Sequence, residues 1–142
     1  MTQLITQYFQ ADHERLDLLF AQYKNLRVNA PQQALTYLQR FQQDLGQHIE
    51  WEEQQLFPLF EQQTGMTQGP TRVMCMEHQD IKQLLSQLIE AEKAQSACVL
   101  VYLDELETTL SGHNHKEEYI LYPNLDKLAS DQDKAAIFLA MS

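Results

Sequence analysis

The sequence predicts an all-α protein: an up-down-up-down four-helix bundle with a short C-terminal helix. Three observations carry this. Apolar residues recur at steps of three and four through four long stretches, the spacing of one helix face. Glycine and proline number only four each in 142 residues, so those stretches run unbroken. A phrase around His48 returns around His113, at an offset of 113 − 48 = 65 residues, which divides the chain into two helical hairpins of one design, about 2–64 and 71–128. Two hairpins closing on each other make a four-helix bundle. The length suits one domain, residues 1–142, built on one core.

The first helix is expected over 2–28, with Ile5, Phe9, His13, Leu16, Phe20 and Tyr23 on its inner stripe. Asn29-Ala30-Pro31 breaks it, and Pro31 suits the first turn of the next helix. That second helix is expected from about 32 to 64. Leu38, Phe41, Leu45, His48, Glu52, Leu56 and Leu59 face inward, and a kink or an end is expected at Pro58. Residues 64–70, Thr-Gly-Met-Thr-Gln-Gly-Pro, form a loop. The third helix covers about 71–93, with Met74, His78, Ile81, Leu85 and Leu88 on one face. After a polar break at Gln95-Ser96, the fourth runs over about 97–122 with Leu103, Leu106, Leu110, His113, Glu117 and Ile120 inward, and Pro123 repeats the kink. Ser130-Asp131-Gln132-Asp133 can cap a last helix running through Met141.

Composition excludes some partners. The formal net charge is −10 and the pI about 4.8, whereas nucleic acids and anionic membranes require a basic face. No apolar run approaches the ~20 residues of a membrane span. The opening residues, Met1-Thr2-Gln3-Leu4-Ile5-Thr6-Gln7, lack the basic flank and apolar run of a signal peptide. Cys75 and Cys98 have no metal-type spacing and are expected as reduced core residues. The expected location is the cytoplasm, and protein partners stay open.

The chemistry lies in the repeat. His48 is followed at i+4 by Glu52, and His113 at i+4 by Glu117, which puts an imidazole and a carboxylate one turn apart on one face. Around them Glu53 matches Glu118, Leu56 matches Leu121, Phe57 matches Tyr122 and Pro58 matches Pro123. Asp12-His13 likewise matches Glu77-His78. With the first turn at Ala30, His13 lies 30 − 13 = 17 residues before it and His48 lies 48 − 30 = 18 after it. With the third break at Gln95, His78 and His113 give 95 − 78 = 17 and 113 − 95 = 18. Each hairpin therefore brings its histidines level and facing the core.

Burying four imidazoles and two carboxylates without compensation costs several kcal/mol per charged group, and a multivalent cation supplies the missing charge and bonds. Imidazole and carboxylate without thiolate suit iron, manganese or zinc over copper(I). Six such side chains exceed the needs of one tetrahedral zinc and can hold two ions, with each glutamate able to bridge. A histidine-rich set leaves the pair less anionic, which favours redox cycling with small diatomic ligands.

The ordered pattern His13 … His48-x-x-x-Glu52 … His78 … His113-x-x-x-Glu117 resembles the hemerythrin-like, HHE cation-binding family over essentially the whole chain. The resemblance implies a non-haem di-iron centre of two iron ions, oxo- or hydroxo-bridged. The four histidines are then terminal ligands, and Glu52 and Glu117 bridge. Oxygen-carrying hemerythrins have a fifth histidine four residues after the third, where this sequence has Lys82, and an aspartate five residues after the last, where it has Glu118. At about 100° per residue, i+4 returns near the histidine and i+5 does not, so Glu117 is the expected ligand, with Glu118 the alternative if the helix distorts near Pro123. The four-His, two-Glu set is more similar to the family's iron–sulfur-cluster-repair proteins, which carry an additional N-terminal domain. The expected function is binding O2 or NO for sensing, protection or iron/redox homeostasis. The alternatives are a cluster-repair or NO- or peroxide-reducing enzyme, and an iron-binding or delivery protein.

Overall fold

The computed structural model describes residues 4–142, and every regular element among them is helical. They form α1 (Ile5–Leu26), α2 (Pro31–Trp51), a first π-helical segment (Glu52–Leu56), α3 (Phe57–Thr64), α4 (Pro70–Lys93), α5 (Val99–Lys116), a second π-helical segment (Glu117–Leu121), α6 (Tyr122–Leu128) and α7 (Asp131–Met141). The first helix was expected from residue 2, and Thr2 and Gln3 lie outside the described residues.

Prolines begin α2 and α4, where a missing N–H costs nothing. Gly65, at φ 73°, closes α3 with its N–H on the Glu61 carbonyl at 2.8 Å. The polar break after α4 is a Schellman turn. Ser96 N–H reaches the Ala91 carbonyl at 2.9 Å and Gln95 N–H reaches that of Glu92 at 3.2 Å, with Gln95 left-handed at φ 52°. Ser130 and Asp133 form a reciprocal capping box at the start of α7.

Helix α1 packs along α2 and α4 along α5, while α2 meets α4 and α6 meets α1. Two apolar clusters fill the interior. One, including Phe20, Tyr23, Phe41, Leu85 and Leu106, occupies the end towards the two interhelical turns. The other, including Phe9, Phe57, Phe60, Met74 and Leu125, lies at the opposite end under α7. No described helix is long and apolar enough to cross a membrane.

The structure departs from the regular expectation at the prolines. Neither Pro58 nor Pro123 ends its helix; each follows a π-helical segment instead. Phe57 N–H bonds the Glu52 carbonyl and Tyr122 N–H that of Glu117, both five residues back. A proline offers no N–H and its ring crowds the carbonyl four residues earlier, and one widened turn relieves both. The extra residue shifts the inward phase. Leu59 is only half-buried and Ile120 is exposed, whereas Phe57 and Phe60, and Leu121, Tyr122 and Leu125, are buried. The cysteines also differ from expectation: Cys75 is half-buried and Cys98 exposed, and both are free. Met74 is buried but Met76 is exposed.

Candidate metal centre

Between the two apolar clusters, His13 of α1, His48 of α2, His78 of α4 and His113 of α5 converge with Glu52 and Glu117, the first residues of the two π segments. All six are at most 4% exposed. The paired histidines of each hairpin are level, with ring centroids 4.6 Å apart for His13 and His48 and 4.8 Å for His78 and His113.

The donors fall into two quartets. His13, His48, Glu52 and Glu117 make one; Glu52, His78, His113 and Glu117 make the other, and within each the ligand atoms lie within 4.8 Å of one another. Each glutamate turns one oxygen to each quartet. Glu52 Oε2 lies 3.5 Å from His48 Nε2 and Oε1 lies 3.1 Å from His78 Nε2. Glu117 Oε1 lies 3.2 Å from His13 Nε2 and Oε2 lies 3.2 Å from His113 Nε2.

Every histidine is held from behind by a carboxylate. Nδ1 of His13 lies 2.7 Å from Glu118, that of His48 2.8 Å from Asp12, that of His78 2.7 Å from Glu53 and that of His113 2.8 Å from Glu77. An ionised carboxylate only accepts, so each Nδ1 carries the proton and each Nε2 aims inward. Although burial works against their charge, hydrogen bonds from His48 and Arg15 hold Asp12 below its ordinary value, and those from Lys116 and His113 do the same for Glu77. The four carboxylates obey the repeat, since 77 − 12 = 65 and 118 − 53 = 65.

Sequence reasoning missed most of this outer layer. Asp12, Glu53 and Glu77 stand out in the sequence only as members of the repeat, with no role of their own. Their recurrence at the 65-residue offset beside the histidines was the available signal. Glu118, the alternative ligand, is placed behind His13 rather than between the quartets, while Glu117 is central. Lys82 is exposed and lines a separate cavity of about 260 Å³ with Leu45, Ile49 and Leu85. His115 is exposed too, against Tyr119.

The charges of the centre are strongly linked to one another. Burial alone would lower the His48 pKa, but the Glu52 charge and hydrogen bonds with Asp12 and Glu52 raise it to about 10. His78 reaches about 10 in the same way, its hydrogen bonds with Glu117 and Glu52 overcoming burial. Burial would raise Glu117, yet hydrogen bonding with Glu52, His113, His13 and His78 holds it well below the usual carboxylate range. Three buried atoms nevertheless lack a well-aligned hydrogen bond: Glu52 Oε1, His78 Nε2 and Glu117 Oε2, all facing the second quartet. Inward lone pairs, orphaned oxygens and a borderline nitrogen–oxygen donor set fit a divalent or trivalent metal. A space of about 10 Å³ adjoins the six side chains, closed on the turn side by Leu45, Ile49, Ile81 and Leu110.

A helical bundle with ligands converging from four helices into its core is the architecture of a metal-binding bundle protein. The chain matches the hemerythrin HHE cation-binding domain over residues 4–125, and it belongs to that family. No curated protein and no solved structure matches it at a significant level.

Proposed function

We propose that the chain acts as one domain holding two irons. His13, His48, Glu52 and Glu117 take one iron, Glu52, His78, His113 and Glu117 the other, and the centre binds O2 or NO for sensing, protection or iron/redox homeostasis in the cytoplasm. The observation that carries this is the pair of mirrored quartets sharing Glu52 and Glu117. Bound iron supplies a redox-active centre for a small diatomic ligand. The residues here do the positioning. Asp12, Glu53, Glu77 and Glu118 fix the imidazoles with Nε2 inward, and the flanking apolar clusters exclude bulk water.

An enzymatic reading, cluster repair or reduction of NO or peroxide, has one observation in its favour. Lys82 is exposed and belongs to neither quartet, so four imidazoles and two bridging glutamates would give eight metal–ligand bonds where two six-coordinate irons have twelve positions. The residual positions allow ligands to react as well as bind. Anaerobic titration with Fe²⁺, followed by O2 and NO with optical spectra, separates the readings. Uptake of about two irons and stoichiometric binding of O2 or NO without turnover supports the first. Turnover of NO or peroxide replaces it with the second. Transfer of iron to an apo-cluster acceptor would mark a delivery protein.

A further inference from the structure

The 65-residue repeat breaks at one position beside the centre. Phe57 in the first hairpin corresponds to Tyr122 in the second, since 122 − 57 = 65. Phe57 stacks on His78, with ring centroids 5.7 Å apart and planes 12° from parallel. Tyr122 is fully buried and carries its hydroxyl to the other quartet. There Oη lies 2.5 Å from Glu52 Oε2, 3.0 Å from Glu117 Oε1, 3.3 Å from His48 Nε2 and 3.4 Å from His13 Nε2. The π segment makes this reach possible. Five residues along an α-helix would turn Tyr122 about 140° from Glu117. At roughly 80° per residue in the widened turn, the two come back near one face.

Those four distances separate a neighbouring donor from a hydroxyl standing in a metal's own place. An atom standing where a metal stands would be about 2.1 Å from each nitrogen and oxygen donor. Two donors at right angles around such a metal are about 3 Å apart, by the same bond lengths. The observed 2.5–3.4 Å are donor-to-donor spacings. The hydroxyl also has one proton for two carboxylate oxygens, Glu52 Oε2 and Glu117 Oε1, one acceptor more than a single O–H can satisfy. The orphaned atoms all face the quartet that has phenylalanine in place of this hydroxyl.

We propose that Tyr122 Oη is a fifth protein ligand of the metal held by His13, His48, Glu52 and Glu117, which makes the two metal positions chemically unequal. This rests on the di-iron reading above. Coordination releases the phenol proton to solvent, as metal binding does for other acidic ligands. The His13/His48 metal then has five protein donors and the His78/His113 metal four. A small ligand is accordingly directed to the second metal, beside the Phe57 ring.

The test loads the full chain with Fe²⁺ without oxygen, oxidises it with ferricyanide, and records iron content, visible absorption and resonance Raman spectra. The wild type is expected to hold two irons and to show a tyrosinate-to-iron(III) charge-transfer band with enhanced tyrosinate ring vibrations. Tyr122→Phe is expected to keep both irons and lose the band and vibrations completely. Phenylalanine already occupies the equivalent position, which makes the substitution tolerable. Ring-deuterated tyrosine shifts the vibrations in the wild type, which fixes them to a tyrosine, and their loss in Tyr122→Phe identifies which one. Two irons with no tyrosinate signal, or a signal unchanged in Tyr122→Phe, overturns the proposal alone. One iron in the wild type and two in Tyr122→Phe overturns it as well, by showing the hydroxyl to occupy a metal's place. No iron in the wild type overturns both this proposal and the di-iron reading.

Discussion

Replacing the carboxylates behind the histidines separates the inner ligands from their supports. Asp12 and Glu77 occupy equivalent places, at 2.8 Å from His48 Nδ1 and from His113 Nδ1. An amide of the same size still accepts the Nδ1 proton but carries no charge. A hydrogen bond to a charged group contributes about 1.5–3 kcal/mol and a neutral one about 0.5–1.5, so the difference is about 1–1.5 kcal/mol. At 1.4 kcal/mol per decade, Asp12→Asn and Glu77→Gln should each weaken metal binding about tenfold. Truncation to alanine removes the acceptor entirely and should approach a hundredfold loss, the upper end for such supporting partners. Asp12 variants should act on the His13/His48 quartet and Glu77 variants on the other. Anaerobic Fe²⁺ competition against a chromophoric chelator measures both steps. Alanine variants that bind both metals with wild-type affinity would refute the supporting role. A more than tenfold disparity between the two positions would refute their equivalence.

His48→Ala and His113→Ala should lower metal content to similar extents, measured by elemental analysis; loss in one with full occupancy in the other would break the repeat argument. The di-ferrous protein should oxidise within minutes in air, followed optically, and an oxygen-loaded form lasting hours and releasing O2 under vacuum would mark a carrier. Without metal, the Glu52 and Glu117 carboxylates outweigh burial and raise His48 and His78 from the ordinary 6.5 to about 10. Because these folded-state pKa values are raised, their stabilisation is complete below pH 6.5 and is lost as pH climbs towards 10. The thermal midpoint should therefore fall across that window, while iron affinity should rise as the competing protons leave.

Long regular segments were legible because burial at period 3.6 writes itself into the sequence. All six inner residues of α1, from Ile5 to Tyr23, are buried as the stripe predicts. The stripe holds as far as Leu56 and fails at Leu59 and Ile120, because an apolar pattern read at a fixed period has no means of registering one extra residue in a turn. Leu59 and Ile120 were placed inside for that reason, and Phe60 and Tyr122 are there instead. Pro58 and Pro123 flagged the positions of the distortion, but a proline signals a disturbance without specifying a π turn. The six inner candidates were legible because charged and imidazole side chains interrupt apolar stripes. Glu53 and Glu118 were not, since a glutamate off the apolar stripe reads as solvated until a neighbouring helix supplies its partner. Tyr122 was harder still. Its ring belongs in a core, and only the distances from its hydroxyl to four donor atoms give it chemistry.

The central claim, two irons in mirrored quartets, is tested most directly by anomalous scattering at the iron edge from crystals of Fe²⁺-loaded protein. The account predicts two peaks, one between His13, His48, Glu52 and Glu117 and one between Glu52, His78, His113 and Glu117. A single peak, iron bound elsewhere, or one tightly held zinc in its place would contradict it.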